Sequence, residues 1–127
     1  MAESISSAAA TSVLDAICNA TSYSVATPYI QLHTGAPGSA GTSNIATEST
    51  RKSVSFAAAA SGAVSNDVAI SWTSVAGTED FTHWSLWTAS SGGTFVWSGT
   101  MTANPVTAGD TFTIAVGDLD LALTIAS

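Results

Sequence analysis

The chain has very little charge and almost none of it positive. Asp, Glu, Lys and Arg together make up 9% of its 127 residues, and Arg51 and Lys52 are the only basic side chains. An average soluble protein carries roughly 25% charged residues. With a net charge of −7, the chain lacks the clustered Lys and Arg that neutralise phosphates, which excludes a nucleic-acid binder of that kind. The same shortage argues against electrostatic docking on an anionic membrane. Cysteine is down to Cys18, so one chain can form neither an internal disulfide nor a thiol-based zinc site, and a reducing, cytoplasmic place of synthesis fits. No apolar run approaches the ~20 residues that span a bilayer. Met1–Ser7 has no basic stretch and carries Glu3, so it does not read as a signal peptide.

Small residues fill the space that charge leaves. Ala, Ser and Thr account for about half of the chain, and hydrophobic residues reach 46%. That is apolar material enough for a core, patterned too regularly for disorder, in a length that suits one domain.

Only the first twenty residues show helical spacing. Ile5, Ala9, Val13 and Ile17 recur at three-to-four intervals, with Ser4 or Ser6 as candidate N-cap and Asn19 as candidate stop. After Pro28 the period becomes two. Tyr29–His33 alternates Ile30 and Leu32 against Gln31 and His33, and Arg51–Phe56 alternates Val54 and Phe56 against Ser53 and Ser55. Between them, Thr34–Thr50 holds Gly35, Pro37, Gly38 and Gly41 and has no period; a long irregular segment of this kind predicts a contact loop. Further strands are expected at Val68–Trp72, Thr82–Thr88, Thr94–Ser98, Thr111–Ala115 and Leu119–Ile125. Ser90-Ser91-Gly92-Gly93 marks a hairpin turn, and Asn104-Pro105 reads as a connection. Leu119, Leu121, Leu123 and Ile125 share one face of the last strand, which should be half-buried. These signals predict an all-β fold, an antiparallel β-sandwich (jelly-roll or Ig-like) of seven or eight strands with a short N-terminal α-helix. Residues 1–28 form a helical arm in this reading and residues 29–127 the β-sandwich domain.

Little in the sequence carries chemistry. A nucleophilic triad needs a His base, and His33 and His83 are the only two, both placed on strands with partly exposed rings. Gly-x-Ser-x-Gly is absent. Glu79, Asp80 and His83 suggest a metal site only until their directions are considered, since strand neighbours point to opposite faces; a solvated acidic turn is the simpler reading. The nine acids form no obvious pair for glycoside hydrolysis, Gly35-Ala36-Pro37-Gly38 is not a phosphate loop, and Asn19-Ala20-Thr21 is a chance match to a glycosylation acceptor. Catalytic, cofactor-binding and metal-binding residues are therefore expected to be none. Trp72, Trp84, Trp87 and Trp97 all fall on expected strands. Trp84 and Trp87 are three apart and so face opposite ways, one into the core and the other exposed or covered by a partner.

Several segments resemble a family of small structural proteins of tailed bacteriophages, particularly those infecting actinobacteria. They are Leu14-Asp15-Ala16-Ile17, Ala26 through Gly38 with its Leu32-His33-Thr34 and Pro37-Gly38, Arg51 through Phe56, Gly62 through Asn66, Thr82 through Trp87, Ala108 through Thr111, and Gly117-Asp118-Leu119. Thr50 and Thr88 depart from the family pattern, where an aromatic and an Asp are common. The resemblance implies a virion structural protein, of the type often labelled minor tail or tail-fibre and similar to capsid decoration proteins, with no catalytic residues. The function expected is a non-enzymatic capsid decoration or minor capsid subunit that clamps the shell, located in the virion and made in the cytoplasm of the bacterial host. Its partners would be the major capsid protein or other virion proteins and copies of itself, a trimer being the economical closed arrangement; no nucleic acid and no membrane take part. The alternatives are a tail or tail-fibre component and, from another class, a carbohydrate-binding module using an exposed tryptophan.

Overall fold

A computed structural model describes residues 4–126; the Met1–Glu3 part of the N-terminal reading lies outside the described residues. The chain forms α1 (Ser7–Cys18), β1 (Tyr29–His33), β2 (Lys52–Ser53), β3 (Ala63–Ser65), β4 (Ile70–Trp72), β5 (Glu79–Trp87), β6 (Phe95–Val106), β7 (Phe112–Ile114) and β8 (Asp120–Ala122). All pairings are antiparallel. One layer is the sheet β2–β1–β5–β6, and the ladders β3–β8 and β4–β7 face it. This is the all-β sandwich that the period-two pattern predicts.

The core lies where the layers meet. Ile30, Leu32, Phe81, Trp84 and Leu86 from the large sheet bury against Ile70, Trp72, Phe112, Ile114, Leu119 and Leu121. Phe112 joins the layers through its ring, 4.8 Å from Phe81 and 5.8 Å from Trp72 between centroids. Aromatic pairs at such spacings add to the burial of their area.

The helix starts on a double-duty serine. Ser6 Oγ accepts the amide of Ala9, as an N-cap should, and donates to the Phe95 carbonyl at 2.7 Å. Backbone bonds from Ser6 N to Val96 O and from Ser98 N to Ser4 O lay the segment before the helix along the outer edge of β6. Asn19 closes the helix by returning its amide to the Asp15 carbonyl. Only Ala9 of α1 is buried, and Leu14 and Ile17 stand 59% and 73% exposed.

Several boundaries differ from the sequence reading: β5 begins at Glu79 rather than Thr82, and the strand expected over Arg51–Phe56 is laddered only at Lys52–Ser53. β6 runs on to Val106 through Asn104-Pro105, expected to be a connection. It is the edge of its sheet, where proline's missing N–H leaves no ladder bond broken, and Asn104 and Pro105 pair with Phe81 and Asp80. The run Ala57–Ala60 does end at Gly62 as its glycine suggests, in a tight turn where Ala60 and Ala63 exchange both backbone bonds around Ser61 and Gly62. Both turn residues have positive φ, 51° and 75°, as a two-residue hairpin loop of matching twist demands. The last strand stops at Ala122 because its antiparallel partner β3 begins opposite it, at Ala63. Leu119 and Leu121 are buried as expected, but Leu123 and Ile125 are 51% and 59% exposed.

Candidate functional site

β1 is covered on both faces, and the second covering comes from the segment between β1 and β2. Ile30 and Leu32 face the core, while Gln31 and His33 are also buried, at 6% and 0% exposure. In register with them across β5 are Ser85 and His83. Residues 34–51, expected to reach outward as a contact loop, instead lie across this face as a strap. Its near end pairs with β1, Thr34 N to Asn44 O and Ala46 N to Leu32 O. Glu79 then accepts the amides of Thr47 and Glu48 on its two carboxylate oxygens, at 2.8 and 2.9 Å. The buried Glu48 carboxylate accepts Ala76 N, and the Gln31 side-chain amide donates to Ser49 O. Trp72 Nε1 donates to Thr50 O. Glu79, considered above as a metal ligand, is thus occupied with backbone amides.

Arg51 closes the strap. Its guanidinium carbon sits 4.0 Å from the Trp87 ring centre, and Nη1 donates to the carbonyls of Ala89 and Gly92, both at 2.8 Å. Trp87 does lie on the face opposite Trp84, yet the chain's own Arg51 and Phe95 cover it, the latter 5.5 Å away between ring centroids. At 7% exposure it offers no open ring for sugar stacking. Replacing Arg51 by Lys keeps the charge but loses the planar stack and the two-carbonyl fork. We expect Arg51→Lys to cost about 1–2 kcal/mol, read as a lowered denaturant midpoint with unchanged slope.

Among the described residues, the arrangement that most resembles catalytic machinery is sealed inside. His33 Nε2 lies 2.7 Å from Ser85 Oγ, a nucleophile–base distance. Its Nδ1 lies 2.8 Å from the Ser43 carbonyl. Since a carbonyl only accepts, Nδ1 carries the proton, Nε2 accepts from the Ser85 hydroxyl, and Ser85 Oγ in turn accepts from Trp87 Nε1 at 2.7 Å. Burial lowers the His33 pKa from the usual histidine value, which keeps the ring neutral. Both His33 and Ser85 are 0% exposed, so no substrate can meet this pair. The expectation of a partly exposed His33 fails because nothing in residues 34–51 shows, by period, that they pack on the sheet. His83 is half-buried and shares a hydrogen bond with Thr82 Oγ1.

Asn66 is a structural centre that no sequence motif marks. Its side chain donates to the carbonyls of Val68 and Ala115 and accepts from the amides of Gly117 and Leu119, at distances of 2.9–3.1 Å. It joins the turn before β8 to the segment after β3. Only a position in a known fold, and no local pattern, could have revealed it.

Open clefts remain on the surface, one of them apolar and another edged by acidic side chains. A groove of about 200 Å³ runs between Ala59, Ala63, Val64, Trp97 and Leu123, with Ile125 packed over Gly62 beside it. A second cleft, of about 310 Å³, opens between β6 and the β7–β8 side, lined by Met101, Asn104, Asp118 and Asp120 above Trp84 and Phe112. Among the described residues no three His, Cys, Asp or Glu side chains gather as a metal-binding group, and no helix is long and apolar enough to cross a membrane.

A tightly cross-linked β-sandwich with its histidine–serine pair walled in, and with apolar surface left at its edges, has the character of a structural protein. A family model agrees: the one described as podophage GP4 fiber I protein gp80 matches residues 4–122. The chain belongs to that family, and it is a bacteriophage virion structural protein of fibre type. The family is one of structural proteins and not a known enzyme family. Comparison with curated proteins gave no match.

Proposed function

We propose that this chain is a subunit of a tail-associated fibre, working by shape and by adhesion to other virion proteins and to further copies of itself. The observation that carries this reading is the fibre-family match over residues 4–122. The surface supports it: Leu14 and Ile17 on α1, and Leu123 and Ile125 near the other end of the chain, are large apolar side chains left in water, which a partner would cover. Residues up to 28 act in this reading as an arm, anchored at Ser6 and open at Ile17, and residues from 29 on as the rigid body. A homo-oligomer of closed symmetry, with three copies as the economical number for a shaft or tip, follows from the same reasoning.

Capsid decoration, the first expectation from the sequence, draws on the general resemblance to virion proteins, and no contact or surface in the fold favours it over the fibre. Copy number separates the two. Quantitative peptide mass spectrometry of purified particles should find this chain at the level of other tail proteins, a few copies per tail. A copy number that scales with the major capsid protein would assign it to the shell.

A further inference from the structure

We infer that the 34–51 strap is an acid-sensitive latch, held on the outer face of β1 and β5 while the His33 ring is neutral and released when that ring takes up a proton. The geometry makes His33 the hinge of this device. Its ring lies between the sheet and the strap, with Nδ1–H on the strap carbonyl of Ser43 and Nε2 accepting from Ser85 on β5. Proton uptake at Nε2 turns that acceptor into a donor facing Ser85 Oγ, an oxygen that already receives the Trp87 indole N–H. The Ser85 hydroxyl proton then has to leave its present acceptor.

The charge itself is worse placed than the hydrogen bond. The groups acting on the ring are the strap carbonyls of Ser43 and Asn44, His83 in register across β5, and Arg51 at the strap's far end. The two carbonyls favour the cation, whereas His83 and Arg51 oppose it. The carboxylates of the neighbourhood, Glu48 and Glu79, are bonded to the amides of residues 47, 48 and 76 and do not figure among the ring's partners. A buried imidazolium without a carboxylate must be hydrated. The sheet is fixed on one side of the ring, so water enters from the other, by lifting the strap.

The sign of the effect follows from linkage. Desolvation by burial, the largest influence, holds the folded His33 below the ordinary histidine pKa. The strapped form therefore has its full advantage above about pH 6.5 and loses it as pH falls from there towards the folded value, where only the opened form has taken up the proton. The β5–β6 ladder, which does not touch the ring's strap side, has no reason to respond.

Hydrogen exchange on the intact chain, corrected for intrinsic rates, tests this between about pH 7.5 and pH 5.5, a span above the ordinary carboxylate range. The amides of Thr34, Ser43 and Ala46, all bonded within or beneath the strap, should lose protection by about tenfold, the factor that one pH unit of linkage supplies. Amides of the β5–β6 ladder should keep theirs. His83→Gln should preserve the response and His33→Gln should abolish it. Nitrogen NMR of the wild-type ring gives an independent reading that does not depend on a variant folding: it should show the Nδ1–H tautomer at neutral pH and a midpoint that coincides with strap release. Strap protection that is flat with pH, a response that survives His33→Gln, a ladder that opens in step with the strap, or a ring that titrates while the strap stays closed would each overturn the latch.

Discussion

Trp84→Ala should remove ~3–5 kcal/mol of stability, the range measured when a buried aromatic is cut back to a methyl group. The ring is 2% exposed and lies in the middle strand of the large sheet's core, between Leu32 on β1 and Gly99 on β6 in register. Its six-membered ring rests on the Gly99 backbone so closely that a Cβ built there would stand 2.4 Å from Cζ2. Neighbours this rigid cannot collapse into the space an alanine leaves. Since domains keep only ~5–15 kcal/mol in total, the variant should show a large fall in urea midpoint or fail to fold at ambient temperature. A loss below ~1 kcal/mol, typical of exposed positions, would mean that Trp84 faces solvent and that the sandwich is assembled the other way round.

Asn66→Asp should be nearly as damaging, although it changes one atom. The Asn66 side chain is 1% exposed, and its amide nitrogen serves two carbonyls, those of Val68 and Ala115. An aspartate would present an oxygen to both, orphaning two acceptors and burying a charge that only the Gly117 and Leu119 amides could answer. Unsatisfied buried groups cost ~1–3 kcal/mol each and charged ones more, so we expect ~3–5 kcal/mol at neutral pH. The loss should shrink in acid as the carboxyl protonates, a pH trend opposite to that of the His33 latch. Thermal melts of the variant across pH check both the size and the trend, and a variant as stable as wild type at neutral pH would show that Asn66 is not the joint described.

How much of this could be read from the sequence depends on whether the information is local. The helix and its caps were legible because Ser6 and Asn19 act within a few residues of themselves, and the hairpin at Gly92 and Gly93 because positive φ, 63° and 73°, needs glycine. Alternation placed Ile30, Leu32 and Val54 inward, and each is buried. The misses share a cause. The continuation of β6 past Ser98 depends on a place at the sheet edge, which makes Pro105 harmless. The exposure of Leu123 and Ile125 depends on where β3 begins, some sixty residues earlier. The strap has no period because its hold comes from single polar contacts to other elements: Gln31 and His33 on β1, Glu79 on β5, and the carbonyls of Ala89 and Gly92 that its own Arg51 reaches. His33 therefore looks like a solvent-side strand residue until its cover is known. The His33–Ser85 contact, 52 residues apart in sequence, was not legible.

The direct test of the central claim is a cryo-EM reconstruction of the intact phage particle at a resolution that distinguishes folds. The account predicts density for this β-sandwich, its α1 arm against a neighbouring subunit, within a fibre at the tail. Density for it seated on the capsid shell, or a complete particle without it, would contradict the account.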